Sequence, residues 1–485
     1  MRTNFLFALL AVGLAGCTVG PDYVRPEVHG NDTWHQAPAL AARGASTPAP
    51  ALDAWWKGFD DPLLVAIVER VLAQNLDLAA STARVEQARA AAAHARADRL
   101  PEGSVDGRAV RQRQSVRDPI GKIASAFPGY DREQTIENIG AGASWELDLA
   151  GGLRRGAEAA NAEYQAAEAN HAGVRVSLVA EAADAYFRVR GAQARIAIAE
   201  EQIHNESGLV DLVRLRTEKG LGTARETAQA EALLQQAQAT VPPLVIERET
   251  QLNRLDVLMG VAPGTYAAEL AKADASYAVP TIDAAGGPAS LLRRRPDVIA
   301  AERQLAASNA RIGVALSGYY PSLSLSALLG SSTIEPGKLF TEKAFQPSGA
   351  LGLHWRLFDF GRVDAEVKQA RGANAEALAT YRQSMLKATE DVEDAIVSLT
   401  QLEAQHALLT SEVVSHTRAR DLAQDAYKGG AISLIEVLDE DRQLLASRDL
   451  LARVHADDAR SAVAAFRALG GGWDAPSDTV ASTEK

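Results

Sequence analysis

Apolar positions along the chain follow two different periods. In one stretch they recur every seven residues, at Ala182, Val189, Ile196, Ile203 and Val210. A second run does the same at Val392, Leu399, His406 and Val413, with His406 interrupting the stripe. A seven-residue apolar period predicts helices packed as coiled coils. Alanines at positions 185, 192, 199 and 395 sit at intervening seam positions and let helix axes approach closely. A lone histidine in such a seam reads as a hydrogen-bonded packing residue rather than a ligand. Proline is absent from 129 to 241 and from 348 to 475. Leu153 to Lys219 is therefore predicted as one helix, about 100 Å long at 1.5 Å per residue.

Elsewhere the period is two. Ile139, Ala141, Ala143, Trp145 and Leu147 alternate with Asn138, Gly140, Gly142, Ser144 and Glu146. Leu351, Leu353, Trp355 and Leu357 alternate with Ala350, Gly352, His354 and Arg356, and Leu323, Leu325 and Ala327 with Ser322, Ser324 and Ser326. Segment 103–111 is a weaker fourth case. Strands of about ten residues with one apolar face, flanked by aromatics, suit a transmembrane β-barrel; a soluble amphipathic sheet is the alternative. Four strands do not close a barrel, for which about eight is the minimum. Open edges are not tolerated in lipid, so the chain is predicted to oligomerise, with two, three or four copies supplying eight, twelve or sixteen strands.

These patterns belong to an internal repeat. Asp77 to Pro101 aligns with Asp297 to Pro321 at an offset of 220, and Trp145 and Gly151 with Trp355 and Gly361 at 210. Residues 183–185 align with 393–395, and Gly220, Thr223 and Glu226 with Gly430, Ser433 and Glu436, also at 210. Each repeat runs helix, strand, loop, strand, very long helix, glycine turn, helix. Boundaries fall at 63–260 and 296–473, with a linker at 261–295 and a tail at 474–485. Gly220 and Gly222 end one long helix with residues able to take positive φ. Thr223 and Glu226 then form a capping box that opens the next. Gly429, Gly430, Ser433 and Glu436 repeat the arrangement, giving two tight helical hairpins.

The N-terminus adds an address. Arg2, the apolar run Phe5 to Val12 and Leu14-Ala15-Gly16 before Cys17 make a charged, then hydrophobic, then small-residue signal. The cysteine directly after Leu-Ala-Gly is the pattern of a bacterial lipoprotein signal, with 1–16 removed and Cys17 lipidated. An ordinary signal peptide with an incidental cysteine is the alternative. Thr18, rather than Asp, points to the outer membrane. Segment 17–62 is rich in Pro, Ala and Gly and reads as an extended tether. Trp55-Trp56 near its end is either its docking anchor or simple core packing.

Composition narrows the function. The 485 residues carry 50 Lys and Arg against 62 Asp and Glu, a net charge of −12. Without a long basic block, nucleic-acid binding is not expected. One cysteine excludes an internal disulfide framework and a multi-thiolate zinc site. No apolar run reaches the roughly 18–20 residues of a membrane-spanning helix. No His-Glu-x-x-His, no Gly-x-Ser-x-Gly and no phosphate-binding glycine loop is present, so no enzyme, metal site or cofactor is expected beyond lipid on Cys17. Arg293-Arg294-Arg295 reads as a solvated loop before Pro296.

Several short motifs together carry a resemblance. They are Cys-Thr-Val-Gly-Pro-Asp-Tyr (17–23), Trp55-Trp56, Arg-Arg-Pro-Asp-Val (294–298), Gly-Tyr-Tyr-Pro-Ser-Leu (318–323), Leu-Phe-Asp-Phe-Gly (357–361) and Leu-Gly-Gly-Gly-Trp (469–473). The chain resembles the TolC-type outer-membrane efflux family, in its NodT- or OprM-like lipoprotein branch, from Cys17 to about Trp473. The resemblance implies a mainly α fold with a small β part. It implies a homotrimer in which four strands per protomer build a twelve-stranded barrel continued by a periplasmic α-barrel. It further implies a periplasmic adaptor, an inner-membrane pump of the resistance-nodulation-division type, and drug-like small molecules as cargo. Protein secretion, metal efflux, or a structural coiled-coil lipoprotein are the alternatives.

The same resemblance assigns residues. The family's paired tip acids fall on Glu436 and Asp439, a tip tyrosine on Tyr427, and an acidic partner on Glu226. Gly220, Gly222, Thr223, Gly429, Gly430 and Ser433 would form the adaptor-contacting tips. Ile432 stands where some members carry an arginine that locks the closed state, so that lock is not expected here. A ring of carboxylates favours cations. Glu436 and Asp439 are equally accounted for as first-turn acids of a capped helix.

Overall fold

The computed structural model describes residues 18–27, 33–42, 49–271, 277–282, 287–288 and 294–474. The expected signal at 1–16, the lipid attachment at Cys17, Arg293 and most of the 474–485 tail lie outside the described residues.

Seven longer helices, one 3₁₀ segment and four strands form the frame of the described chain. In order they are α1 (Pro62–Gln74), α2 (Leu76–Ala97), β1 (Glu102–Arg113), β2 (Glu133–Leu147), α3 (Gly152–Glu218), α4 (Ala224–Leu258), α5 (Pro296–Ser317), β3 (Ser322–Thr333), β4 (Phe345–His354), α6 (Arg362–Lys428) and α7 (Leu434–Ala468); a 3₁₀ segment over Leu52–Phe59 precedes them. Helices of 22, 67 and 35 residues occur twice in the same order, as α2, α3, α4 and as α5, α6, α7. The expected helix from Leu153 to Lys219 is α3 almost to the residue. Pro242 and Pro243 lie within α4, which continues through them.

The chain divides into two compact units, one of 1–26, 85–167 and 301–381, the other of 27–84, 168–300 and 382–485. The first holds one antiparallel sheet in the order β1-β2-β3-β4. Its register stacks like with like. Trp145, Leu325 and Leu351 are cross-strand neighbours, as are Leu147, Leu323 and Leu353. The opposite face pairs Ser144, Ser326 and Ala350, then Glu146, Ser324 and Gly352. The apolar face is bare, with Leu351 67% and Leu353 68% exposed. β4 ends earlier than the alternation predicts, leaving Trp355 and Leu357 outside the strand. The register sets that end: β3 begins at Ser322, opposite His354, so Trp355 would face Pro321, which has no N–H to give a ladder. The Trp355 indole N–H donates to the Tyr319 carbonyl at 3.0 Å, and Leu357 N–H turns back to Trp355 O at 3.1 Å.

In the same unit the N-terminal segment is docked rather than free. The buried Arg155 guanidinium donates to the Val19 and Gly20 carbonyls, each at 3.2 Å, and to Asp22 at 2.7 Å. Glu302, also buried, accepts from Tyr23 Oη at 2.8 Å and from Arg25 at 2.9 Å. Burial works against the Glu302 charge, but hydrogen bonds from Arg303 and Tyr23 outweigh it and hold its carboxyl below the usual range.

The second unit holds the main core. Ala182, Val189, Val392 and Leu399 of the heptad stripes are buried there, with Leu255 of α4 and Phe466 of α7. Trp55 and Trp56 are core residues, with Trp55 stacked on Phe466 at 5.2 Å between ring centres. α1 is opened by Pro62 at its first position and by the buried Asp61, which accepts from Leu63 N–H at 3.0 Å and Leu64 N–H at 3.3 Å. Tyr186 Oη donates to the same carboxylate at 2.5 Å. His406 does sit in the seam, its ring 5.3 Å from that of His455.

Arg295 departs from the solvated loop expected for it. Its side chain is 11% exposed, pairs with Asp297 and Asp391 at 2.8 Å each, and donates to the Ala468 carbonyl at 3.3 Å. A guanidinium with its five donors satisfies a helix C-terminus and two carboxylates at once, which a solvated loop would not require.

Trp55→Ala is expected to lower stability by about 3–5 kcal/mol, the usual cost of emptying an aromatic site in a packed core. The denaturation midpoint of the purified protein checks this; a midpoint within error of wild type would show that the Trp55–Phe466 stack carries little of the core.

Candidate functional site

The assigned site residues converge on the two turns that join α3 to α4 and α6 to α7. Both turns are built by the same backbone device. Gly220 takes φ +71°, which lets Leu221 N–H reach Arg216 O at 2.8 Å. Gly430 takes φ +74°, and Ala431 N–H reaches Ala426 O at 2.9 Å. These are six-to-one closures of a helix end. Only one glycine of each pair is left-handed; Gly222 and Gly429 are not. A Cβ at Gly220 or Gly430 would meet nothing within 4 Å, so backbone conformation rather than crowding selects glycine there.

The helices that follow are capped, but not identically. Thr223 N–H donates to Glu226 Oε2 at 2.7 Å, and Glu226 N–H donates back to Thr223 Oγ1 at 3.3 Å. In the second hairpin the carboxylate carries the cap. Glu436 Oε1 accepts from Ser433 N–H at 3.1 Å and from its hydroxyl at 2.9 Å. Asp439 accepts from Arg442 Nη2 at 2.5 Å and from Gln443 Nε2 at 2.8 Å. Both acids expected at the tip thus have partners on their own helix. They line, with Ile432, Ile435, Glu440 and Arg442, a cleft of about 690 Å³.

Tyr427 joins the hairpins. It is buried with Val210, Val213, Ala230, Leu434 and Val437, drawn from all four helices. Arg216 of α3 lies over its ring at 4.7 Å, a cation–π contact across the two hairpins. Burial and, more weakly, Glu226 raise the Tyr427 phenol, while Arg216 opposes them. Ile432 packs against this cluster as an apolar side chain.

Four participants escaped the motif reading. Arg216 and Arg442 carry no motif of their own. Glu206 and Asp441 are buried acids one turn away from the Tyr427 cluster. Glu206 had a visible signal: it falls three residues after Ile203 and four before Val210, a seam position where an acid is out of place. Among the described residues no group of three or more metal-binding side chains occurs, and no helix is long and apolar enough to cross a membrane.

Residues 67–261 and 287–471 match the family model described as outer membrane efflux protein. The pyoverdine export outer membrane protein OpmQ of Pseudomonas putida is 32% identical over 428 residues, covering 88% of this chain and 89% of that one. The toluene efflux pump outer membrane protein TtgI of the same species is 31% identical, covering 96% and 97%. Among solved structures, the outer-membrane channel OprN superposes with a TM-score of 0.83 at 32% identity, covering 94% of this chain and all of that one. The open-state MtrE outer membrane channel of Neisseria gonorrhoeae gives 0.82 at 26% identity, covering 94% and 99%.

Glu436→Ala is expected to loosen the first turn of α7 by about 1 kcal/mol, the usual worth of a cap. Amide exchange at residues 433–437 should rise roughly fivefold on that figure. Glu436→Gln keeps an acceptor for Ser433 N–H and should raise it less. Equal exchange in both variants would show that charge, not capping, is what Glu436 contributes.

Proposed function

The chain belongs to the outer membrane efflux protein family, and from that premise we propose that it is the outer-membrane exit duct of a tripartite pump, working as a homotrimer with a periplasmic adaptor and an inner-membrane pump of the resistance-nodulation-division type. Its family is one of channels, and its relatives are outer-membrane components of efflux pumps. The cargo class proposed is small organic molecules. The names of the relatives speak of pyoverdine and toluene; neither is assigned to this chain. Transport, without catalysis, is the whole of the proposed activity. Lipid on Cys17 would add a second hold on the membrane.

The observation that carries the reading is the sheet. One face is a continuous apolar row that the described residues leave bare, and the other is Ser- and Gly-rich. β1 and β4 each have only one neighbour in the sheet. Hydrocarbon tolerates neither a polar face nor an unpaired edge. Pairing β1 of one copy with β4 of the next satisfies both demands, and three copies give twelve strands around a polar lumen. Glu436 and Asp439 would then repeat around the mouth formed by the hairpins, where carboxylates select cations. Gly220, Gly222, Thr223, Gly429, Gly430 and Ser433 present a small-residue surface on which an adaptor hairpin fits closely.

Two experiments test this. Glu436→Gln combined with Asp439→Asn should raise single-channel conductance in planar bilayers. It should also weaken block by trivalent cations, because the attraction of each removed carboxylate for the ion is lost. Unchanged conductance and block would remove these acids from the mouth. Deleting the chain should sensitise cells to toxic small molecules. Wild type should restore resistance, and Gly220→Trp should not, with the same amount of heat-modifiable trimer in the outer membrane. Restored resistance with Gly220→Trp would remove the adaptor contact from this turn.

A further inference from the structure

Glu206 is the least expected side chain in the hairpin region. It occupies a seam position of α3 and is 1% exposed. Gln202 Nε2, one turn earlier on the same helix, donates to its Oε1 at 2.5 Å. Its other oxygen, Oε2, is buried with no hydrogen-bond partner among the described residues. The charged group acting on it is not a base but a second carboxylate, Asp441 of α7, itself 4% exposed. Asp441 lies one turn from Val437, and Glu206 one turn from Val210. Val210 and Val437 pack together in the Tyr427 cluster. The two acids therefore form the next layer of the same contact, one from each hairpin.

The surroundings offset charge on the Asp441 side and not on the Glu206 side. α6 turns Arg420, Asp421 and Gln424 toward Asp441: the arginine favours its ionised form and Asp421 disfavours it. α4 contributes apolar groups, Ala230 and Leu234, to the adjoining layer. His416 of α6 is the repeat counterpart of Glu206, at the offset of 210. It faces Glu440 of α7 at 3.5 Å and Glu412 at 4.0 Å, so it is already supplied with carboxylates. Burial first, and Asp441 second, push the Glu206 carboxyl up to about 7, with Gln202 opposing. Burial likewise raises Asp441.

A buried carboxyl without a counter-ion keeps its proton, and two buried carboxylates in one packed layer repel. We propose that Glu206 and Asp441 form a proton-operated latch between the two helical hairpins: with a proton on the pair the hairpins pack, and with both acids ionised they are driven apart. That separation opens a conduit only if the function proposed above holds; the latch itself needs only the two hairpins.

The sign follows from linkage. The packed state binds the Glu206 proton more tightly than a separated state, in which the exposed acid returns to its ordinary value of 4.5. Packing is thus favoured at low pH, is lost as pH rises from about 4.5 to about 7, and levels off above that. Between pH 5 and pH 8 the ratio of packed to separated hairpins should fall by about a hundredfold.

Double electron–electron resonance on the full-length protein in lipid nanodiscs reads this directly. Spin labels at Leu212→Cys and Ile435→Cys sit on exposed positions of α3 and α7. The label separation should lengthen from pH 5 to pH 8 in the otherwise wild-type chain. Glu206→Gln should hold the short separation across the whole range, and Asp441→Asn should shrink the change. A wild-type-like separation at pH 5 certifies that each variant is folded. A pH-independent separation in the wild-type background, or an undiminished response in Glu206→Gln, overturns the latch. Single-channel conductance over the same pH range separates the two readings. Separation that moves with pH while conductance stays flat upholds the latch and overturns the hairpins as a gate.

Discussion

A helix of 67 residues gains little from its length; each turn has to be buried against a neighbour to be worth forming in water. That demand shapes the larger of the two units. The heptad residues Ala182, Val189, Val392 and Leu399 meet in one core with Leu255 and Phe466, and alanines at 185, 192 and 199, all buried, keep the packing close. A chain so rich in alanine and so poor in aromatics would make a thin globular core. It makes a good seam. The few large aromatics are spent where helices alone do not fill space, as in the Trp55–Phe466 stack.

The sheet obeys the opposite constraint. Its two inner strands are paired on both sides, but the described residues cover neither its apolar face nor the outer edges of β1 and β4. A surface of Leu323, Leu325, Leu351 and Leu353 is tolerable in lipid and costly in water. The proposed oligomerisation would cover both.

At the hairpins the two constraints give way to chemistry. Gly220 and Gly430 reverse the chain, and Glu226 and Glu436 restart the helices. Tyr427 under Arg216 ties one hairpin to the other with an amphipathic contact. Glu206 and Asp441 are the exception, two acids buried where the seam calls for leucine or alanine. Burying charge in a packed contact costs stability, and such a cost is tolerated where a contact has to be undone as well as made.

Much of this was legible in one dimension because it is periodic or local. The seven-residue stripe marked α3 and α6. Alternation marked four strands. Thr223 with Glu226 marked a helix start, because a capping box is closed by residues three apart. What tertiary structure decided is everything that depends on partners far apart in the chain. Arg295 read as a solvated basic run until Asp391 and the Ala468 carbonyl were brought to it. Trp355 continued the alternation on paper, yet falls outside the strand because its neighbour β3 begins only at Ser322, opposite His354. The glycine pairs looked equivalent, and only Gly220 and Gly430 adopt the left-handed turn. Glu206 was visible as an oddity in a stripe, but that it faces another acid from the second hairpin rather than a base required the fold. Periodicity shows which face of a helix is buried; it does not show what the buried face meets, because that neighbour is chosen by chain segments more than two hundred residues away.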